Sequence, residues 1–364
     1  MATDHGDRSA TAELELAPTR DTGRTAIVLG GLVVLGVLIL QLGFILSYVG
    51  AFHDPAPRDV DIAVVGPAPA AEQTVAALGS LPGHPLSPST TTSVEQARSM
   101  VANRDVESAL VLGPDGRDTL LVASAASTSV ADAVETVVTQ FAAAQQRTVT
   151  VDDLVPISSG DNRGLSDFYI AVGWVVGGYL LATVMELVAG SSRAPRTAAR
   201  RLLVAVGYAV LSGIGTAIIV EPVLGVYSGH FWSLAALGAL VVFATFAFTL
   251  FLEAALDFVG IGLVIGLFVV LGNPSAGGAY GTQLIPPFWA AIGPWLTPGA
   301  ATSGVRNIAY FHGTEMAQPL GVLFGYAVVG VVGAMVAATY FDRRARRKQS
   351  PSDTTAATGA TVTI

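Results

Sequence analysis

Of 364 residues, 52% are hydrophobic, 13% are charged and 40 are glycine, a residue more frequent in membrane helices than in soluble ones. No cysteine is present, which excludes disulfides, thiolate chemistry, iron–sulfur clusters and cysteine-based zinc sites. The formal charge of −8 describes no partner until it is divided between two sides of a membrane. It gives no reason to expect a nucleic-acid partner, and the five scattered histidines lack i, i+4 pairing, so no metal or cofactor is expected.

In chain order, a segment 1–24 containing Arg20 and Arg24 leads into an uncharged run, Thr25–Gly50. About 20 apolar residues cross a hydrocarbon core of about 30 Å, so this run spans unaided. It exceeds the about 7–15 residues of a secretory h-region, and Tyr48–Pro55 offers no small-x-small cleavage site, so 25–50 reads as a retained anchor.

Residues 51–167 follow, near the commonest domain size of about 100–150 residues. Strands are expected at Asp61–Pro67, Ser108–Pro114, Thr119–Ala125 and, from its alternation, Arg147–Ile157. Helical segments are expected at Ala71–Leu78, Ser93–Ala102 and Val130–Gln145, the last capped by Thr128 or Ser129. The expectation is a small α/β domain. It holds no nucleophile elbow, G-x-G-x-x-G or phosphate loop, which favours a binding or spacer module over an enzyme.

Five more apolar runs come next: Phe168–Gly190, Leu202–Val220, Phe231–Leu252, Ala254–Gly272 and Leu320–Phe341. Each Leu, Ile, Val or Phe contributes about −0.3 to −0.6 kcal/mol at a helix centre, against about +2.5 to +3.5 for Asp or Arg, so these runs insert. The fold class expected is a polytopic α-helical membrane protein, with six transmembrane helices arranged one plus five and an extracytoplasmic α/β domain between the first and second. Lys and Arg collect in short cytoplasmic loops. Arg20 and Arg24, the cluster Arg193, Arg196, Arg200 and Arg201, and the cluster Arg343 to Lys348 therefore share one side. Both termini are expected in the cytoplasm of a multi-pass cell-membrane protein, with 342–364 a disordered tail and 273–319 an outer loop.

Acids in or near spans are costly and so informative. Glu186, Glu221, Glu253 and Asp257 all fall near span ends, where side chains snorkel toward water, so a structural role is favoured over an ion relay. Glycines at helix-packing spacing, Gly173 with Gly177 and Gly262 with Gly266, let helix backbones approach closely. The loop 273–319 is apolar, aromatic and broken by Pro274, Pro286, Pro287, Pro294 and Pro298, so it is not one helix. Two short pieces, Pro287–Ile292 and Ala301–Phe311, are expected to dip into the outer leaflet as a gate over a central path.

Three stretches carry a family resemblance: LGNPSAGG (Leu271–Gly278), LIPPFWAAIGPWLTPGA (Leu284–Ala300) and GVRNIAYF (Gly304–Phe311). With the layout of one anchor, an outer domain and five spans, they make the chain resemble the type-two permeases of ABC transporters, in the branch that includes the phage infection protein group. The resemblance implies a five-helix permease bundle over 168–341 with paired re-entrant helices, the gate formed by Pro286, Pro287, Phe288, Pro294, Trp295, Pro298 and Arg306. It also places Arg193, Arg196, Arg200 and Arg201 in the loop that meets a cytoplasmic ATPase, and Met1–Arg24 in the position of a connecting segment. The outer domain departs from the family habit, being compact and α/β where many relatives carry long coiled coil.

No G-x-x-x-x-G-K-[ST] motif exists and the only lysine is Lys348, so any ATPase is a separate polypeptide. One six-span chain encloses little space, which implies a homodimer or a paired half-transporter. The leading expectation is a permease subunit that exports a hydrophobic or amphipathic compound. The alternatives are an envelope scaffold or surface receptor anchored by the bundle, and half of a proton-driven exporter.

Overall fold

The computed structural model describes residues 20–190 and 193–349. The expected connecting segment and tail lie largely outside them. Helix α1 (Arg20–Phe52) runs into the mixed domain: β1 (Val60–Val65), α2 (Ala68–Gly79), β2 (Leu86–Thr90), α3 (Val94–Ala102), β3 (Ser108–Val111), β4 (Arg117–Val122), α4 (Thr128–Ala144) and β5 (Thr148–Asp153).

The sheet order is β2-β1-β3-β4-β5, parallel except for the β3–β4 hairpin. Right-handed crossovers decide which face each helix covers. The chain steps one way from β1 to β2 and the other way from β2 to β3, so α2 and α3 fall on opposite faces. The direction reverses at the hairpin, so the step from β4 to β5 returns α4 to the face of α2. The core follows this logic. Ile62, Val64, Leu110 and Leu120 pack with α2 and α4 on one side, while Ala63, Ala109 and Leu121 pack with Ala97 and Val101 of α3 on the other. Strand β2 is absent from the sequence reading, because Leu-Ser-Pro-Ser-Thr at a sheet edge carries neither alternation nor β-branched density. The cap of α4 is Ser127, whose hydroxyl accepts from the Val130 amide; the expected caps bond elsewhere, Thr128 to the Arg163 carbonyl and Ser129 to the Gly281 amide.

The helical part comprises α5 (Ser166–Ala189), α6 (Pro195–Ile218), α7 (Phe231–Leu256), α8 (Phe258–Val264), α9 (Asn273–Ser275), α10 (Pro287–Ile292), α11 (Thr297–Tyr310) and α12 (Ala317–Gln349). Wider π-type turns, Ile219–Val223 and Ile265–Gly272, extend α6 and join α8 to α9. Among the described residues, six helical stretches are long and apolar enough to cross a membrane: Ile27–Phe52, Ser166–Ala189, Pro195–Val223, Phe231–Leu256, Phe258–Ser275 and Ala317–Arg347. These are the six expected runs with adjusted ends. The fourth ends and the fifth begins at Asp257, whose φ of 58° makes a tight reversal, rather than near Ala254. A Cβ on Gly260 would lie 2.3 Å from the Leu252 carbonyl oxygen, so only glycine closes this turn.

Helix α7 is central, buried along most of its apolar length, and it packs against α5, α6 and α12. The close approaches run through glycines only partly anticipated. A Cβ on Gly213 would lie 2.1 Å from the Ala235 oxygen, on Gly330 2.4 Å from the Ala247 carbonyl carbon, and on Gly178 2.7 Å from the Val242 oxygen. Gly173, Gly207, Gly321 and Gly325 face open space. Alternating helix directions put the α5–α6 loop, the α7–α8 turn and the end of α12 together, opposite the sheet. Arg193 joins all three, 3.0 Å from Asp257 and stacked 4.8 Å from the Phe341 ring centroid.

Candidate functional site

The α/β domain is seated on the bundle rather than tethered above it. Phe311, just after α11, is buried in the α3-side core of the sheet, and the Tyr310 hydroxyl accepts from the Ser158 amide at 3.2 Å. Between the two parts lies a cavity of about 510 Å³. Its polar walls come from the α3–β3 connection (Arg104, Glu107), from α11 (Ser303, Arg306, Asn307) and from Glu315 ahead of α12.

An ion pair floors this chamber. Arg306 Nε lies 2.7 Å from Asp167 Oδ2, both side chains are buried, and Arg306 Nη2 donates to the Gly277 carbonyl at 3.0 Å. Asp167 stands in the first turn of α5, where the helix dipole favours a carboxylate, and its other oxygen accepts from the Phe168 amide. Asp161 accepts from the Leu165 and Ser166 amides just before it. The pair pins α11 to the head of α5.

Arg104 is held more loosely. It donates to Asn307, lies 3.4 Å from the half-exposed Glu315 carboxylate and sits 5.3 Å from the Phe311 ring centroid. Burial pushes its guanidinium pKa down, and the nearby Arg306 charge adds to that shift. Burial pushes Glu107 up, opposed by Arg104 and by the hydrogen bond its carboxylate accepts from Gln283.

The two short helices expected in the loop are present. Pro286 and Pro287 open α10, Pro294 sits in a 3₁₀ turn, and Pro298 occupies the first turn of α11, where its missing amide is harmless. The second helix begins at Thr297, four residues before the expected start. Helix α11 is buried along most of its length against α5, α7 and α12, whereas Phe288 and Trp295 are exposed. Trp289 donates to Ser47 of α1 at 3.0 Å, so the hairpin also holds the otherwise peripheral first helix.

At the opposite end the basic residues separate. Arg196 and Arg200 are exposed. Arg201 is buried, paired with Glu186 and donating to the carbonyls of Met185 and Gly190, which removes it from the surface set. Glu253, expected to snorkel outward, is instead 1% exposed inside the bundle, with Thr183 donating to it at 2.8 Å. Asp257 is exposed and bound to Arg193. Glu221 accepts from the His230 amide at 2.7 Å and so covers the start of α7.

Arg306 was singled out from the sequence as a gate residue, while Asp167, Arg104, Glu107 and Glu315 were not singled out. Asp167 carried a usable signal, an acid at the head of an apolar run. Arg104 carried none, because only the tertiary fold brings it to α11. Neither a protein-family model, nor a curated protein, nor a solved structure matches the chain.

Proposed function

We propose that this chain is the membrane-spanning permease subunit of an ABC-type exporter for a hydrophobic or amphipathic compound, powered by a separate ATPase. The observation that carries the reading is the α10–α11 hairpin: two short helices between the fifth and sixth long ones, the first partly exposed and the second buried in the bundle and charge-locked to α5 beneath the α/β domain. Non-helical backbone is tolerated at membrane depth only where protein or water surrounds it, and the turn 296–298 that opens α11 is buried in protein. In this reading the sheet lies outside a cell membrane, the basic end lies in the cytoplasm with both termini, and two chains pair to enclose a path. Exposed Arg196 and Arg200 form part of the ATPase surface. Nucleotide binding by the partner shifts the bundle between inward and outward states, which takes a differential of a few kcal/mol.

The test is copurification of the tagged full chain with a phosphate-loop ATPase, with ATP-dependent export in reconstituted vesicles. Loss of both in the Arg196→Glu/Arg200→Glu variant, with the folded yield kept, supports the proposal. Export that proceeds without any ATPase overturns it.

A further inference from the structure

The chamber between the α/β domain and the bundle does not end at the domain. Ala317 and Gln318, at the head of α12, line both this chamber and a second, apolar groove of about 570 Å³ running down α12 past Phe248, Tyr326 and Val329. The floor of the groove is cut by Gly321 and Gly325, on which an added Cβ would meet nothing within 4 Å. From Gly321 to Val329 the groove follows about 12 Å of helix at about 1.5 Å per residue. Trp295 stands 66% exposed on the wall of the apolar groove, and tryptophan is a residue type enriched at membrane interfaces.

The chamber's charges are unequally held. Arg306 is matched within the protein by Asp167 and the Gly277 carbonyl. Arg104 faces a carboxylate, Glu315, that is half exposed and 3.4 Å away, an interaction of rim type and small worth. Glu107 has its carboxyl pKa raised by burial, and its carboxylate accepts from Gln283. An anion entering from the chamber mouth can therefore displace Glu315 and take Arg104 without breaking a buried pair.

We propose that chamber and groove together bind one anionic lipid amphiphile, its head group against Arg104 and its chain along the Gly321–Gly325 face of α12. This rests on the permease reading and names its substrate class. The head is recognised as a charge and the chain as length without polarity, so neither half alone binds well.

The experiment uses the full chain in nanodiscs of neutral phospholipid, with radiolabelled 1-oleoyl lysophosphatidate as the probe. Saturable binding is expected, with competition by inorganic phosphate and by oleyl alcohol at least a hundredfold weaker than by unlabelled lysophosphatidate. Gly325→Leu fills the groove at a position with open space and a better helix former; it is expected to keep the Tm and weaken binding at least tenfold. Arg104→Gln is expected to weaken it similarly. Equal competition by phosphate, equal competition by oleyl alcohol, or unchanged affinity in Gly325→Leu each overturns the proposal. Binding needs no ATPase, so its failure is distinguishable from failure of the export reading, in which the ATPase arm fails while this one holds.

Discussion

Arg306 and Asp167 form a buried ion pair at 2.7 Å that joins α11 of the α10–α11 hairpin to the first turn of α5, 139 residues earlier in the chain. Removing one partner leaves an uncompensated buried charge, a loss of roughly 3–5 kcal/mol, whereas replacing both with apolar residues is far milder. Asp167→Leu and Arg306→Leu alone are therefore expected to lower thermal stability in detergent strongly, and the double variant to recover much of it. Additive losses in the double variant would show that the two residues act separately.

Glu107 gives a pH dependence with a defined sign. Burial raises its carboxyl pKa above the ordinary 4.5, with Asp61 and Glu315 adding to the shift and Arg104 and Gln283 opposing it. The folded state therefore holds this proton more tightly than the unfolded chain. The stabilisation is fully present below the unfolded pKa and is lost as pH rises through the folded one. Glu107→Gln, fixed in the neutral form, is expected to match the wild type near pH 4 and exceed its Tm at pH 7–8; melting curves across that range check it.

Glycine substitutions separate packing from mere composition. Gly330→Ala places a Cβ 2.4 Å from the backbone of α7 and is expected to reduce the folded fraction in size-exclusion profiles. Gly207→Ala meets open space and is expected to be neutral or to stabilise by up to about 1 kcal/mol through helix propensity.

The basic loop is expected to divide in the same way. Arg201→Glu sets two acids together in place of the buried Arg201–Glu186 pair and should unfold that end of the bundle, whereas Arg200→Glu on the exposed face should leave the Tm unchanged. Tm measurements on the two single variants separate them.

How far the sequence carried these conclusions follows from where the information is local. Span-length apolar runs are read directly from transfer energies, and the long helices α1, α5, α6, α7 and α12 match them with ends shifted by up to eight residues. The turn at Asp257 was misplaced because Glu253 to Asp257 reads as a polar break, yet Glu253 faces inward and the chain reverses only at the positive-φ residue beyond it. Strand β2 was missed because an edge strand needs only one partner and tolerates Pro88.

The candidate site was less legible. Prolines announced α10 and α11, because they can only begin helices there. Which acid would meet Arg306 was a tertiary fact, as was the arrival of Arg104 from a loop two hundred residues earlier. Gly173 was read as a packing residue, whereas close approaches are made by Gly178, Gly213 and Gly330 and leave Gly173 open. Spacing alone does not say which of several glycine faces a neighbouring helix will take.

The most direct measurement of the central claim, a passage through lipid with the hairpin at one mouth and the basic end at the other, uses the absence of cysteine from the chain. Trp295→Cys and Arg344→Cys each introduce a single thiol at an exposed position. A membrane-impermeant maleimide on intact cells is expected to label Trp295→Cys, and to label Arg344→Cys only after permeabilisation. Labelling of both from the same face of the membrane would contradict it.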